Sequence, residues 1–203
     1  DQFLAAHPEP PEHLMLDFDA TDDPVHGHQE GRFFHGYYDH HCFLPLYVFC
    51  GDELLAAYLR PANIDGARHA RAVLKLLVDR LREAWPGVKI TLRADSGFCR
   101  WRLMRWCDSN DVGYVLGLAR NPALQRAALD ETAQAARQFD RTGEPQRLFG
   151  SFAYAAGSWD RPRRVIVKAE HGVRGANPRF VVTNVPGDPR ELYEAVYCQR
   201  GEA

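Results

Sequence analysis

Two apolar segments that each end in an aspartate constrain the fold of this chain more than any other feature. Over residues 14–19, Leu14, Leu16 and Phe18 fall on one face and Asp17 and Asp19 on the other, and residues 88–95 form a second, mostly apolar run that closes on an acid. Alternation with a period of two is typical of strands. Between them, apolar residues recur at spacings of three and four over residues 66–85, which predicts a long helix with Asp65 as its N-cap. Strands connected by helices predict an α/β domain with a mixed sheet.

The rest of the chain continues this alternation and then departs from it. Before the long helix, residues 42–49 are a nearly continuous apolar run that predicts a buried strand, with residues 53–59 as its hairpin partner. After the second acid, the pattern predicts a short helix, a strand and an Ala-rich helix that begins at Asn121. Three strands then follow without a helix between them, which predicts a small antiparallel β insertion before the last helix. The segments predicted after the second acid are residues 100–110, 114–118, 121–139, 148–154, 163–170 and 179–184.

These segments divide the chain into four parts. Residues 1–13 are polar and Pro-rich and indicate a linker, whereas residues 14–145 carry the alternating core. Residues 146–187 form the β insertion. Asp188 is followed by Pro and, three positions on, by Glu, so residues 188–203 are predicted to begin a C-terminal helix. The chain opens without Met and stops inside this helix, so we expect both ends to continue in a longer protein.

Charge and composition do not by themselves indicate a nucleic-acid partner. The formal net charge of the 203 residues is −2 at pH 7, although 22 of the 25 basic residues are Arg, whose planar guanidinium suits phosphate. Arg and Trp are interleaved over residues 100–106 and 159–164, which fits either a DNA-binding surface or solvated faces with an arginine bias. No apolar run has the length of a membrane span, and five Cys without a CxxC pair favour reduced thiols in a cytoplasmic protein.

Asp19 and Asp95 are the candidates for chemistry. Each ends an apolar strand and precedes small residues, which leaves space for a phosphate group. Two-metal phosphoryl transfer requires carboxylates on rigid elements, because Mg²⁺ prefers oxygen ligands. Aspartates at strand ends are also common turn formers, so spacing alone leaves a catalytic and a structural role open.

Several stretches resemble bacterial insertion-sequence transposases, and the nearest group is the one catalogued as insertion sequence thirteen-eighty. Residues 16–27 and 30–39 resemble the region of the family's first acid, and residues 92–98 resemble its second acidic motif. Residues 196–202 are similar to the start of the family's Tyr-Arg-Glu helix. The resemblance implies an RNase H-like fold and an Asp-Asp-Glu (DDE) triad that binds Mg²⁺, for which Mn²⁺ can substitute. It also implies double-stranded DNA as partner, at transposon ends and target, and a homodimer in the DNA complex.

The motifs assign the first two acids of that triad. Carried over residue by residue, Asp19 is the first acid and Asp95 the second, both as metal ligands. Asp17 is the nearest rival to Asp19, because residues two apart lie on the same strand face. Asp22 and Asp23 are expected to shape the turn that follows.

The third acid falls outside the chain on this resemblance. Tyr197 and Arg200 match the family helix, whose Glu would then occupy the position after Ala203. Glu202 is roughly 160° around an α-helix from that position, so we interpret it as a solvated or structural residue. Residues 1–203 alone are therefore predicted to be inactive.

Four residues are predicted to contact DNA. By resemblance, Tyr197 and Arg200 contact phosphates near the cleavage site, where the planar guanidinium is well suited. The alternative is that the Tyr packs on the sheet and the Arg pairs with a nearby acid. In the β insertion, Arg163 and Arg164 are the candidates for holding DNA ends and shaping a hairpin intermediate.

We therefore expect the core of a Mg²⁺-dependent DDE transposase, an endonuclease and polynucleotidyl transferase. It would hydrolyse a phosphodiester at the element's end, and the freed 3′-hydroxyl would then attack the second strand or the target DNA. One alternative is a non-catalytic DNA-binding or scaffold domain with the same fold. The other is a metallohydrolase that uses histidines, although their spacings match no established metal site. Those histidines are His26, His28, His35, His40 and His41.

Overall fold

A computed structural model describes residues 1–202 of the chain, with side chains as far as Arg200. The strands are β1 His13–Ala20, β2 Asp23–Pro24, β3 Phe33–His35, β4 His40–Phe43, β5 Leu46–Cys50, β6 Glu53–Tyr58, β7 Lys89–Ala94, β8 Val112–Leu118, β9 Gln146–Tyr154, β10 Arg163–Gly172, β11 Gly175–Ala176 and β12 Arg179–Thr183. The helices are α1 Gln2–Ala6, α2 Ala70–Ala84, α3 Trp101–Ser109, α4 Pro122–Ala127, α5 Leu129–Thr142 and α6 Pro189–Glu191.

A nine-stranded mixed sheet forms the centre of the molecule, as the alternation predicted. Its order is β11-β10-β12-β8-β7-β1-β5-β6, with β9 paired to β10. β1, β7 and β8 are parallel neighbours, and β5 and β12 add antiparallel strands on either side. Leu14, Leu16 and Phe18 lie in the core on one face of the sheet because strand residues two apart share a face.

The helices α2 and α3 cover that apolar face. Leu74 and Leu81 of α2 and Leu103 and Met104 of α3 are buried in the same core cluster as the apolar residues of β1. The apolar spacing that predicted α2 is therefore the spacing of its buried stripe.

The start of α2 differs from the prediction. The helix begins at Ala70 rather than near residue 66, and the residue before it, His69, has a left-handed φ of 68°. Asp65 is not the N-cap of α2. Its carboxylate accepts a hydrogen bond from the N–H of Ala67 at 2.8 Å and so stabilises the loop in front of the helix.

A buried arginine holds this loop in place. Arg60 is only 1% exposed, and its guanidinium donates to the carbonyl oxygens of Leu44 (2.8 Å), Gly66 (3.0 Å) and Arg68 (2.5 Å). Carbonyl oxygens from two segments satisfy the buried donors, which offsets the cost of burying the charge.

Residues 146–187 extend the main sheet. β9, β10 and β12 are antiparallel neighbours, as predicted for the insertion. β12 also pairs with β8, from Phe180 opposite Leu118 to Thr183 opposite Val115. The predicted insertion is therefore hydrogen-bonded into the core sheet.

Residues 189–202 cross the opposite face of the sheet. The Asp188 carboxylate accepts a hydrogen bond from the N–H of Arg190 at 2.9 Å, which confirms the predicted N-cap. The segment then widens into a π-helical turn over Leu192–Tyr197 and ends in a 3₁₀ turn. Its apolar side packs on Val115 and neighbouring residues of β10 and β12.

The connection from β1 to β5 forms a second sheet that the sequence pattern did not predict. β2, β4 and β3 are antiparallel there. The apolar run over residues 42–49, predicted as one strand, is divided between β4 and β5 with Pro45 in the gap. Proline has no N–H to donate to a strand ladder, which suits a crossing from one sheet to another.

The predicted linker, residues 1–13, contains the short helix α1 and touches α2. The ring of Phe3 meets Trp85 edge-on with centroids 5.9 Å apart, and Arg80 pairs with Asp1 at 2.7 Å. These contacts join the N-terminal segment to the core.

Candidate active site

Asp19 and Asp95 lie side by side at one edge of the main sheet. In the parallel pairing of β1 with β7, Phe18 is opposite Ala94, and each aspartate is the next residue along its strand. Adjacent strands lie about 4.8 Å apart, so the two carboxylates leave the sheet at neighbouring positions. Strand alternation directs both toward the face that residues 189–202 cross, because Phe18 and Ala94 belong to the core on the other face.

The turn after β7 orients the Asp95 carboxylate. Asp95 caps the 3₁₀ turn Ser96–Phe98, and its carboxylate accepts a hydrogen bond from the N–H of Gly97 at 2.8 Å. A Cβ atom on Gly97 would lie 2.9 Å from the Asp95 Oδ1 atom, which is closer than real Cβ contacts. The glycine after the second acid therefore allows this orientation.

Asp19 carries an accessible carboxylate next to a second acid. Partial desolvation raises the pKa of Asp19, the Arg200 guanidinium lowers it, and the Asp95 carboxylate raises it again. The Asp95 carboxylate therefore disfavours the charged form of Asp19, and a cation bound there would offset that effect, as the Arg200 guanidinium does.

Asp17, the rival first acid, is buried and fully engaged. It is 4% exposed, and Arg93 binds both of its carboxylate oxygens, with Nη2 to Oδ2 at 2.6 Å and a shorter bond from Nε to Oδ1. The same guanidinium donates to the carbonyl oxygen of Val196 at 2.6 Å. The Asp17–Arg93 pair therefore links the central sheet to the C-terminal segment.

Tyr197 lies against the end of β8, where Gly117 leaves room for it. A Cβ atom on Gly117 would lie 2.5 Å from the Tyr197 hydroxyl and 2.8 Å from the Ser96 nitrogen. Desolvation raises the pKa of Tyr197, Arg200 lowers it and Asp95 raises it. A glycine inside a strand is the sequence signal for such a close approach.

Arg200 completes the group of predicted residues that the fold brings together. Its guanidinium carbon lies 5.9 Å from the centre of the Tyr197 ring, and its charge lowers the pKa of Asp19. Asp19, Asp95, Tyr197 and Arg200 thus surround one point at the sheet edge. In this structure Tyr197 packs on the sheet, and Arg200 lies close enough to Asp19 to lower its pKa but forms no ion pair with the described side chains. The side chain of Glu202 lies outside the described residues.

The small sheet brings Tyr38 toward the acids, a residue that the sequence pattern did not single out. Desolvation raises the pKa of Tyr38, and the nearby carboxylates of Asp22 and Asp19 raise it further. Asp22 lies 2.8 Å from the Nε2 atom of His40, consistent with a role in shaping the turn.

A cleft of about 700 Å³ opens beside Ser96 and Tyr197. Glu170 in its wall is neutralised by Lys168 at 3.1 Å and by Arg147 at 2.9 Å. Its other cationic residues, Arg120 and Arg179, form no ion pair with the described side chains, so the lining has a net positive charge.

The predicted DNA contacts on β10 are occupied within the fold. Arg163 is 4% exposed and donates to Asp160 at 2.8 Å and to Asp108 at 3.1 Å. Arg164 donates to the carbonyl oxygen of Gly187 at 2.8 Å. These bonds would have to break before either guanidinium could bind a phosphate, so their environment opposes the predicted role and favours a structural one.

The histidines do not converge. Among the described residues, no three His, Cys, Asp or Glu side chains lie together as a metal-binding group. His35 and His40 instead flank the Tyr38 ring, with centroids 4.9 and 6.1 Å away. The arrangement gives no support to a histidine-based metallohydrolase.

Comparison with known proteins gives the family and the fold of the chain. The family model described as "Transposase DDE domain group 1" matches residues 1–203. Among solved structures, the chain is similar to a piggyBac transposase in a synaptic complex with hairpin DNA, with a TM-score of 0.51 and 11% sequence identity. The similarity covers 96% of this chain and 39% of that chain, so this chain spans well under half of that protein. At this identity the likeness concerns the fold alone, and it confirms the predicted RNase H-like fold of a transposase.

No curated protein matches the chain. No helix within residues 1–202 is long and apolar enough to cross a membrane.

Proposed function

The chain belongs to the family of transposase DDE domains, group 1, and on that premise we propose that it cleaves and joins DNA at transposon ends with Asp19 and Asp95 as its first two acids. Transposases of the DDE type are typically polynucleotidyl transferases that use divalent metals. The observation that carries the proposal is the pair of acids at the carboxyl ends of two adjacent parallel strands. The sequence motifs favour a bacterial insertion sequence of the group catalogued as thirteen-eighty.

The two carboxylates suit a divalent cation such as Mg²⁺ or Mn²⁺. Asp19 is accessible and lies beside a second acid, and the turn at Gly97 orients Asp95. Mg²⁺ keeps several waters, so it needs few protein carboxylates. When bound, the cation would supply charge neutralisation at a phosphate and a more acidic water. Asp17 fits poorly as a ligand because Arg93 occupies both of its oxygens.

The surrounding residues are suited to a DNA strand. Arg200 places a guanidinium beside the acids, where it can bind a phosphate oxygen near the reacting bond. The cleft beside Tyr197 offers Arg120 and Arg179 for further phosphates. Double-stranded DNA at the transposon end and at the target is the substrate that we propose, bound by a homodimer.

The third acid of the triad would stand after Ala203, in continuation of Tyr197 and Arg200. Two carboxylates alone would hold a cation weakly. We therefore expect residues 1–203 to bind DNA without cleaving it.

Strand cleavage tests this proposal directly. The chain extended past Ala203 by its native continuation would be incubated with labelled DNA that carries the element's end and with Mg²⁺ or Mn²⁺. We expect product from the unaltered protein and none from Asp19→Asn or Asp95→Asn. The matched control is Asp52→Asn, an exposed acid in the turn between β5 and β6, which should cleave normally.

The outcomes separate the candidate functions. Cleavage that survives Asp19→Asn or Asp95→Asn would show that the acid is wrongly assigned. Absence of cleavage by the unaltered protein on its cognate ends, with DNA binding retained, would instead indicate a non-catalytic binding or scaffold domain.

A further inference from the structure

An arginine-rich surface lies on the outside of α2 and α3, across the sheet from Tyr197 and Arg200. Two adjoining depressions, of about 640 and 280 Å³, are both lined by Arg71, Trp101 and Arg102. Arg68 lines the first depression and Arg105 the second. We call this set the α2–α3 arginine surface.

The charge of this surface is not cancelled by its neighbours. Its four arginines, Arg68, Arg71, Arg102 and Arg105, are exposed and form no ion pair with the side chains of residues 1–200. The acids nearby are already engaged with other arginines: Asp65 with Arg100 at 2.7 Å, Asp108 with Arg161 and Arg163, and Asp160 with Arg163. In a chain of net charge −2, this local excess of positive charge is a feature of one face.

The arrangement favours a regular polyanion over a compact anionic ligand. The guanidiniums project from α2, from the loop before it and from α3, and they line shallow, open depressions rather than one closed pocket. Arg102 also lies over the Trp101 ring, 5.4 Å from its centroid, which restrains the guanidinium in place. Spaced arginines on rigid elements are suited to successive phosphates along a nucleic-acid backbone.

The surface is continuous with the edge that carries the acids. The loop before α2 packs beside β1, where a Cβ atom on Gly66 would lie 3.8 Å from the Cβ of Ala20, the residue after Asp19. Arg100, five residues after Asp95, is tied to that loop through Asp65. A duplex whose cleaved strand reaches the acids can therefore continue across the N-terminal ends of α2 and α3.

We infer that the α2–α3 arginine surface binds the sugar-phosphate backbone of duplex DNA that flanks the scissile phosphate, without reading its sequence. The inference rests on the proposed function, because it takes DNA as the substrate. It adds a second contact region, on the face of the sheet opposite Tyr197 and Arg200, and it assigns a role to the interleaved Arg and Trp residues of α3.

Fluorescence anisotropy with a labelled duplex of arbitrary sequence tests the inference on the 203-residue chain. The test variant is Arg71→Glu with Arg102→Glu. The matched control is Arg126→Glu with Arg137→Glu, which reverses two exposed arginines on α4 and α5. We expect at least about a tenfold loss of affinity for the test variant only, and a salt dependence whose log–log slope is smaller by about 2, because each lost phosphate contact removes about 0.9.

Three results would overturn the inference. The first is that the test variant binds DNA as tightly as the unaltered chain, and the second is that the control variant loses as much DNA affinity as the test variant. The third is that the test variant keeps its DNA affinity but no longer binds polyglutamate. The last would mark the surface as a site for an acidic protein. Thermal melting of each variant shows that the exposed substitutions leave the fold intact.

Failure of this inference can be told apart from failure of the proposed function. Asp19→Asn in the extended protein should abolish cleavage and retain duplex binding. If it does so while the arginine variant binds normally, only the inference fails. If Arg71→Glu with Arg102→Glu loses DNA binding while Asp19→Asn still cleaves, Asp19 is wrongly assigned as a catalytic acid. The inference about the α2–α3 arginine surface is then retained.

Discussion

Asp17 and Asp19 are two residues apart on the same face of the same strand, yet they have opposite environments. Asp17 is 4% exposed and is held by Arg93 through both oxygens. Asp19 is accessible, and desolvation and Asp95 raise its pKa. One carboxylate is paired within the protein through both of its oxygens, whereas the other stays accessible, with Asp95 and Arg200 nearby.

The difference between Asp17 and Asp19 shows that one strand carries both a stabilising ion pair and a candidate functional residue. A buried, doubly bonded ion pair gives the C-terminal segment a fixed position, since Arg93 also binds the carbonyl of Val196. The accessible Asp19 carboxylate lies beside a second acid and an arginine, and such groups of interacting charges are typical of functional sites. Two positions on the same face of one strand, two residues apart, therefore serve stability and function respectively.

Breaking the buried Asp17–Arg93 ion pair should have the largest effect on stability. Arg93→Ala leaves Asp17 buried without a partner, so we expect the free energy of unfolding to fall by about 3–5 kcal/mol in urea denaturation. The C-terminal segment loses its anchor in the same variant. The double variant Asp17→Ala with Arg93→Ala is the control, and it should cost less than the two single changes added together. Strict additivity would mean that the pair does not stabilise the fold through their mutual contact.

Filling the space at Gly117 should have an intermediate effect on stability, and it should also affect Asp19 and Asp95 indirectly, through Tyr197. In Gly117→Ala the new methyl group would meet the Tyr197 hydroxyl at 2.5 Å and the Ser96 nitrogen at 2.8 Å. We expect a loss of about 1–3 kcal/mol in stability, as for overpacked sites, and impaired cleavage by the extended protein. Gly157→Ala is the matched control, since no atom lies within 4 Å of its added methyl. Normal cleavage by Gly117→Ala would show that the position of Tyr197 against β8 is not needed.

Removing the charge of Asp19 should have the smallest effect on stability, and it should stabilise the fold where the other two changes destabilise it. Asp19→Asn should raise the free energy of unfolding at neutral pH without divalent metal, and with it the melting temperature. We expect a gain of about 0.5 kcal/mol or less, because the carboxylate is exposed and screened. The pKa of Asp19 is raised in the folded state, so its charge costs stability as pH rises past the unfolded value of 3.8 and through the folded pKa. The gain should therefore vanish at pH values below both. Thermal melts against pH, with and without Mg²⁺, measure this, and Mg²⁺ should stabilise the unaltered chain more than the variant.

Much of the fold follows from local pattern. The periodicity of two in β1 and the apolar spacing of α2 predicted their buried faces, and Asn121 and Asp188 cap helices as expected. Such features depend on residues within a few positions of one another, so they can be predicted from the sequence. The loop before α2 was missed because Arg60 holds its carbonyl oxygens and that of Leu44, which lies on another segment, with one buried guanidinium.

The candidate site likewise combines residues that local motifs predicted with residues whose role depends on distant segments. Asp19, Asp95, Tyr197 and Arg200 were predicted from motifs, and the structure brings them together. Gly117 and Tyr38 were not predicted, because their importance comes from the segments that pack on them. Arg163 and Arg164 formed a basic cluster in the sequence, but the fold engages them with acids and carbonyls.

The sequence by itself determined most strands and helices of the central sheet and its apolar face, and that acids end two of the strands, because backbone preference and side-chain period are local properties. Only the tertiary structure decided which aspartate stays free. The partner of Asp17 is Arg93, 76 residues away, and the strand order that makes Asp95 the neighbour of Asp19 is likewise set by long-range pairing. The charge state and accessibility of a carboxylate depend on what the completed fold places around it, and no local pattern encodes that.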